Sequence, residues 1–159
     1  MICSEPQPQP INENAPKLTK PGYSTRPAMS ALQYYTDEQL EAVSNFTIIC
    51  EGLGEVRFLG ATNVKGLDLD NIVDFKSREI AIYPEESSKP PIGEGLNKAA
   101  VVTLQQCWRI DRTTGKPVTD ERSRRAYERK IRETTAALNA ELEEYNAESG
   151  IWRFRVRHF

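Results

Sequence analysis

The residue best suited to acid–base chemistry in this chain is its only histidine, His158, the next-to-last residue of the sequence. An imidazole with an ordinary pKa of roughly 6.5 can accept or release a proton near neutral pH, and burial or a neighbouring charge shifts that pKa. His158 ends a run of alternating aromatic and arginine residues, GIWRFRVRHF. Any chemistry at His158 therefore depends on how this run is held in the fold.

The terminal run has the pattern of a half-buried β-strand, in which successive side chains point to opposite faces. The alternation assigns to one face Trp152, Phe154, Val156 and His158, and to the other face Arg153, Arg155 and Arg157. It predicts that His158 lies at the rim of the core.

Two interpretations of this strand follow from its residues alone. The simpler one is a hydrogen-bonded histidine at the core edge beside a solvated row of arginines. The other is an RNA-binding face, as in sheets whose aromatic residues stack on bases. The aromatic residues and the arginines lie on opposite faces and cannot contact one nucleotide strand together, which weakens the RNA interpretation.

Other groups that could do covalent or metal chemistry are few. The three cysteines, Cys3, Cys50 and Cys107, are far apart, form no C-x-x-C pair and have no second histidine with which to build a zinc site. Cys50 and Cys107 lie in apolar runs and are expected to be buried thiols in a reducing compartment. We expect no metal and no cofactor, and no general hydrolase site, because no glycine-framed nucleophile is present.

Length and composition favour one folded domain preceded by a tail. The chain has 159 residues, with 21 Lys and Arg against 23 Asp and Glu, so its near-neutral charge attracts neither nucleic acid nor an anionic membrane overall. No apolar run approaches the roughly 20 residues that span a bilayer, and no membrane insertion is expected. Residues 1–16 are rich in Pro, Gln and Asn and are predicted to be a disordered linker, with the domain at 17–159.

The elements that must position His158 are mainly β-strands. Two short helices are predicted before and after Thr36, then a hairpin around the Gly-Leu-Gly turn, two strands near Ile72–Phe75 and Glu79–Tyr83, and a strand in AAVVTLQQCW. The predicted fold class is mainly β with flanking helices (α+β), mostly antiparallel, as a β-sandwich or half-open barrel.

A long helix is predicted over Thr119–Asn146, because Tyr127, Ile131, Leu138, Leu142 and Tyr145 form one helical stripe. Ser149–Gly150 would end it before the last strand. Its arginines and lysine come first and its glutamates last, an order that suits either a solvated surface or a partner-binding surface.

Four separated motifs, in the order GYSTRPAM, LDLDNIV, KPPIGEGLNKAAVVTL and WRFRVRHF, carry a resemblance to a known family. From about Lys17 to Phe159 the chain closely resembles the C-terminal autoproteolytic domain of the GLFG-repeat nucleoporins, the vertebrate ninety-eight kilodalton nucleoporin and its fungal counterparts. The resemblance implies a β-sandwich or half-open barrel flanked by helices, at the nuclear pore complex, following an FG-repeat region that supports protein and mRNA transport.

The chemistry that this resemblance implies is a single self-cleavage after His158-Phe159. The hydroxyl of a following serine, which is absent here, would attack the Phe159 carbonyl, and water would hydrolyse the ester left by the N-to-O acyl shift. His158 would be the general base and later the proton donor. The end of the chain at Phe159 would then be the cleavage point.

The resemblance also implies partners. Relatives bind the β-propeller of a scaffold nucleoporin, through a loop with an Asp-Lys pair where this chain has Asp111-Arg112, or the N-terminal segment of their own cleaved-off fragment. A solvated turn is the alternative for Asp111-Arg112. The motif loop, residues 89–97, has no role derivable from its residues, although Gly93 and Gly95 allow positive φ. Lys89 and Asn97 are its candidates for contact with the scissile carbonyl.

Overall fold

The computed structural model describes residues 10–159. Ten strands, four α-helices and one short 3₁₀ turn alternate along the chain. In chain order they are β1 (Tyr23–Arg26), α1 (Met29–Leu32), α2 (Asp37–Leu40), β2 (Val43–Ser44), β3 (Thr47–Cys50), β4 (Gly54–Phe58), β5 (Ala61–Thr62), α3 (Leu69–Ile72), β6 (Val73–Lys76), β7 (Glu79–Ile82), the 3₁₀ turn (Glu86–Ser88), β8 (Ala100–Leu104), α4 (Glu121–Ala137), β9 (Glu141–Asn146) and β10 (Ile151–Val156).

Six strands form the central sheet in the order β1-β3-β4-β8-β10-β9, with antiparallel neighbours throughout. β1 and β9 lie at its two edges, so the sheet remains open. The pairs β2-β5 and β6-β7 form two small sheets beside it. The predicted fold class, mainly antiparallel β with flanking helices, is confirmed.

Local sequence signals placed most of these elements correctly. The hairpin around Gly-Leu-Gly is β3-β4, and the two predicted strands that follow it are β6 and β7. The two predicted N-terminal helices are α1 and α2. Thr36 caps α2 by accepting the Gln39 N–H through Oγ1 at 3.2 Å, and the Thr36 N–H donates to Gln39 Oε1 at 2.9 Å. This reciprocal capping box satisfies two amides that a helix start otherwise leaves unpaired.

The predicted helix over Thr119–Asn146 is wrong in its second half. α4 ends at Ala137, and Asn139, with φ 56°, turns the chain into β9. Leu142 and Tyr145 are three residues apart, which is helical spacing, yet both face β10, opposite Phe154 and Trp152 respectively. A β-bulge in β9 inserts one extra residue between them, so a strand here imitates the period of a helix.

Gly150 does not end a helix either, but closes the β9-β10 hairpin with φ 71°. Its N–H donates to the Asn146 carbonyl at 2.8 Å. A Cβ added at this position would overlap the Trp108 indole, so close packing as well as backbone angle requires glycine here.

The stretch predicted as a linker lies partly outside the described residues, which begin at Pro10. Within it, Asn12 donates from its side chain to the Tyr35 carbonyl and to Asp37 Oδ1, both at 2.9 Å. Asn14 reaches the same carboxylate at 3.1 Å. These bonds hold the Asp37 pKa below its ordinary value. Asn12 and Asn14 are therefore hydrogen-bonded to the segment at the start of α2.

Candidate functional site

The terminal strand β10 lies inside the sheet, between β8 and β9, and its inward face follows the predicted alternation. Trp152, Phe154 and Val156 are all buried. The Trp152 indole N–H donates to Thr135 Oγ1 of α4 at 3.0 Å, which ties the helix to the strand. The strand therefore gives the residues after Val156 a rigid starting point.

Two of the outward arginines form ion pairs with glutamates of β9. Arg153 Nη1 lies 2.8 Å from Glu144 Oε2, and Arg155 Nε lies 3.2 Å from Glu143 Oε1. The arginine row is thus part of a cross-strand ion-pair ladder. This arrangement gives no support to an RNA-binding role for the strand.

The prediction that His158 lies on the core face is wrong. β10 ends at Val156, so the alternation stops before His158, and the His158 side chain is exposed. Its Nδ1 lies 3.3 Å from the Phe159 carbonyl oxygen. Sequence parity cannot be carried past the last residue that the sheet holds in an extended conformation.

Phe159 turns back onto the domain instead of fraying. Its ring packs against Phe58 of β4, with centroids 6.1 Å apart. Its backbone N–H donates to Asn97 Oδ1 at 2.9 Å. Both the side chain and the amide of this residue are therefore fixed, while its carbonyl faces His158 Nδ1.

Asn97 belongs to the motif loop, and the loop fixes Asn97 in turn. The Asn97 side chain is only 2% exposed, and its Nδ2 donates to the Pro90 carbonyl at 2.9 Å. Its backbone carbonyl accepts the Gly93 N–H at 2.7 Å, and its N–H donates to the Glu94 carbonyl at 3.0 Å. With Nδ2 engaged at Pro90, Oδ1 is free to accept the Phe159 amide.

The two glycines of the motif loop have positive φ, 95° at Gly93 and 55° at Gly95, as the sequence allowed. A Cβ at Gly95 would lie 2.6 Å from the Tyr83 hydroxyl oxygen. That hydroxyl accepts the Leu96 N–H at 3.1 Å, next to Asn97. Tyr83 thus holds the loop in place through its hydroxyl, a role that no local sequence signal indicated.

An open groove of about 1230 Å³ runs beside the terminal residues. Its walls come from β10, from the C-terminal end of α4 and from the β6-β7 hairpin. Lys89, His158 and Phe159 lie along it, with Lys89 Nζ 3.7 Å from Glu86 Oε1. The groove is large enough for an extended peptide segment.

Asp111 and Arg112 lie between β8 and α4, in a segment that we call the charged turn, residues 111–117. Asp111 accepts the Thr113 N–H through Oδ1 at 2.8 Å, and its backbone pairs with Lys116 and Gly115, each at 2.8 Å. Arg112 is exposed. The turn satisfies its own hydrogen bonds and presents Arg112 outward.

The described cysteines are packed as predicted. Cys50 and Cys107 are buried, and burial raises the pKa of the Cys107 thiol to about 11. Cys3 lies outside the described residues. Among residues 10–159, no cluster of His, Cys, Asp and Glu could hold a metal ion, and no helix combines the length and apolar character needed to cross a bilayer.

Comparison with known proteins shows the family of the chain. The family described as Nup98-96 autopeptidase S59 matches residues 20–159. The chain belongs to this nucleoporin autopeptidase family. A Dictyostelium discoideum protein, Nuclear pore complex protein Nup98-Nup96, is 41% identical over 149 residues, which cover 94% of this chain and 7% of that protein. The chain therefore corresponds to a small part of its long relatives, and it is a nucleoporin of the nuclear pore complex.

Two solved nucleoporin structures share the fold. A chain of the yeast heterotrimeric Nup82-Nup159-Nup116 complex aligns with a TM-score of 0.75 and 28% identity, covering 88% of this chain and 98% of that one. The Chaetomium thermophilum Nup145N APD mutant fused to Nup145C N aligns with a TM-score of 0.72 and 29% identity, covering 86% and 94%. The family match extends to residue 159 and therefore includes the segment that holds His158 and Phe159.

Proposed function

We propose that Phe159 is the acyl donor of a single self-cleavage, and that the processed domain anchors a nucleoporin to the pore scaffold. The observation that carries the first part is the fixation of Phe159 beside His158. The Phe159 ring is packed on Phe58, its amide is bonded to Asn97, and its carbonyl oxygen lies 3.3 Å from His158 Nδ1.

The cleavage step requires a hydroxyl on the residue that follows Phe159. That oxygen attacks the Phe159 carbonyl carbon while the neutral His158 imidazole takes its proton. The C–N bond then breaks, the imidazolium returns the proton to the leaving amine, and an ester remains. Water hydrolyses the ester, which releases the Phe159 carboxylate and restores the hydroxyl.

Asn97 is a positioning residue in this proposal. Its Oδ1 accepts the Phe159 N–H and leaves the carbonyl of the same residue free to react. Holding an electrophile in one orientation raises the fraction of time that it spends in a reactive geometry. The motif loop would therefore act on the cleavage site through Asn97, whereas Lys89 lines the same groove without a bond to Phe159.

The test uses the chain extended after Phe159 by Ser and a reporter domain. We expect His158→Ala to abolish cleavage. Asn97→Ala should slow it about tenfold or more, because the Phe159 carbonyl would no longer be held in one orientation. Arg122→Ala, which removes an exposed arginine of α4 that does not line the groove beside β10, is the control and should cleave at the unmodified rate. Equal cleavage by the unmodified and His158→Ala proteins would remove the histidine from the mechanism.

The anchoring part of the proposal assigns the charged turn to a scaffold β-propeller. Its support is the self-contained hydrogen bonding of Asp111 with an exposed Arg112, together with the structural likeness to a chain of the Nup82-Nup159-Nup116 complex. Arginine binds carboxylates through a planar fork, so Arg112 would favour an acidic contact. Anchoring would hold FG repeats at the pore and so support protein and mRNA transport.

The groove beside β10 is assigned to the N-terminal segment of the cleaved-off fragment. That segment starts at the scissile bond and can remain where it was before cleavage. The likeness to a Nup145N APD fused to Nup145C N supports this occupant. The two occupants are separable, because the charged turn and the walls of the groove use different residues.

Affinity measurements with a purified β-propeller test the anchoring. Replacing Asp111 and Arg112 together by alanine should weaken propeller binding about tenfold and leave binding of the cleaved-off segment unchanged. An unchanged propeller affinity would exclude the charged turn from that interface.

A further inference from the structure

A second surface, which we call the basic groove, shares Arg78 of the β6-β7 hairpin with the groove beside β10. It encloses about 460 Å³ and brings together side chains from the hairpin tip, the loop after Trp108 and the outer part of α4. Its lining residues are Arg78, Arg109, Ile110, Arg112, Ala126, Tyr127 and Lys130. Three separate elements thus contribute four cations to one small concavity.

The cations of the basic groove are not held in close ion pairs within the described part of the chain. Between residues 10 and 159, none of its four cations forms an ion pair within 4.0 Å, and no carboxylate lines it. By contrast, Arg125 and Arg132 on the same helix pair with Glu121 and Glu128. In a chain whose formal net charge is −2, this is a local concentration of unpaired positive charge.

Arg78 lines this groove from an unusual backbone conformation. It occupies the tip of the β6-β7 hairpin with φ 62°, a left-handed conformation that glycine adopts at less cost. Burial raises the pKa of the Tyr127 hydroxyl, and the positive charge of Arg78 opposes that rise, so the guanidinium lies near the phenol. An arginine kept at a position that favours glycine points to a use for its side chain.

We propose that the basic groove binds an acidic segment of a partner protein that carries an apolar side chain among its carboxylates. The three guanidinium groups bind carboxylates through paired N–H donors. Ile110, which is 38% exposed, would contact the apolar side chain. A concavity of about 460 Å³ fits a short linear segment rather than a flat domain surface.

A protein segment fits this surface better than RNA. Single-stranded RNA binding needs exposed aromatic rings on which bases stack. The aromatic residue here, Tyr127, is half-buried and packs on Tyr145, with ring centroids 6.1 Å apart. The apolar group that is exposed is the aliphatic side chain of Ile110.

The test is fluorescence anisotropy of the full chain with a labelled Glu-Asp-Glu-Leu-Asp-Glu peptide, at low and high salt. We expect saturable binding that weakens as salt rises, and at least a tenfold loss in the double variant Arg78→Glu, Lys130→Glu. The control is Arg122→Glu, Arg129→Glu, which places the same charge change on exposed positions of α4 outside the groove and should change affinity less than about twofold.

A second variant separates binding from folding. Arg78→Gly suits the φ of the hairpin tip, so its thermal midpoint should not fall, yet peptide affinity should still drop. None of these variants alters Asn97 or His158, so self-cleavage of the Ser-extended chain tests the proposed mechanism separately. Propeller binding is not a separate readout, because Arg112 also lines the basic groove.

Three results would overturn this inference. The first is absence of peptide binding by the unmodified chain, and the second is an equal loss in the groove variant and the control variant. The third is an oligouridylate that binds more tightly than the peptide and loses affinity in Arg78→Glu, Lys130→Glu, because the groove would then be a nucleic-acid site.

Discussion

The motif loop and the charged turn are both short, glycine-containing connections, but their hydrogen bonds have different reach. Besides its internal bonds, the motif loop is bonded to distant residues: Asn97 accepts the N–H of Phe159, 62 residues away, and Leu96 donates to the Tyr83 hydroxyl. In the charged turn, Asp111 accepts the Thr113 and Gly115 N–H groups and donates its own N–H to the Lys116 carbonyl. Under the proposed function, the first loop therefore positions the cleavage site, whereas the second presents the Arg112 side chain to a partner.

The largest effect that distinguishes the two loops is expected for Asn97→Ala. It removes the acceptor of the Phe159 N–H and the donor to the Pro90 carbonyl, and should lower the free energy of unfolding by about 2–4 kcal/mol. Urea unfolding measures this loss, and faster hydrogen exchange of the Phe159 amide locates it. Asn63→Ala, whose side chain bonds only to the nearby Lys65 N–H, is the control and should cost less than about 1 kcal/mol. Equal losses would mean that the motif loop is no more coupled to the rest of the domain than a surface turn.

A glycine in each loop gives the next comparison. Gly95→Ala combines an unfavourable φ with a Cβ 2.6 Å from the Tyr83 hydroxyl oxygen and should cost about 2 kcal/mol. Gly115→Ala in the charged turn has a similar φ, 69°, but no atom within 4 Å, and should cost about 1 kcal/mol. Thermal unfolding of the two variants measures the difference. If Gly115→Ala were the more damaging, close packing under the motif loop would not be the distinguishing feature.

Tyr83→Phe should have an intermediate effect. It removes the acceptor of the buried Leu96 N–H while keeping the ring in place, and we expect a loss of about 1 kcal/mol in unfolding free energy. Slower cleavage of the Ser-extended chain should accompany this loss, because Asn97, which positions Phe159, directly follows Leu96 in the loop. A variant with full cleavage activity and normal stability would show that Tyr83 does not fasten the loop.

The smallest effect on stability is expected in the charged turn. Arg112 is exposed and forms no ion pair with the described residues, so Arg112→Ala should change the unfolding free energy by less than about 0.5 kcal/mol. Its effect should appear only in partner affinity. A large loss of stability would place Arg112 in the fold rather than at an interface.

The same contrast explains what could be predicted from the sequence. Signals confined to a few residues were sufficient for the Gly-Leu-Gly hairpin, for the Thr36 cap and for burial of Trp152, Phe154 and Val156. Features that depend on distant residues or on a local irregularity were missed. The bulge in β9 gave Leu142 and Tyr145 helical spacing, and the end of β10 at Val156 cancelled the parity argument for His158.

The contact between Asn97 and Phe159 belongs to the second group. No local sequence pattern around Asn97 predicts that its side chain is buried or from which backbone N–H it accepts a hydrogen bond. The only available signal was the resemblance of the surrounding motif to the family, which marked the loop without assigning it a role. Tyr83 carried no signal at all, because its hydroxyl acts on a loop that lies further along the chain.

The most direct test of the central claim is the mass of the product released from the Ser-extended chain in the presence of hydroxylamine. An ester formed by the acyl shift is captured by this nucleophile, so the N-terminal product should end in a Phe159 hydroxamate, and His158→Ala should give none. A product that ends only in the Phe159 carboxylate under saturating hydroxylamine, or a chain that remains intact, would contradict the proposed mechanism.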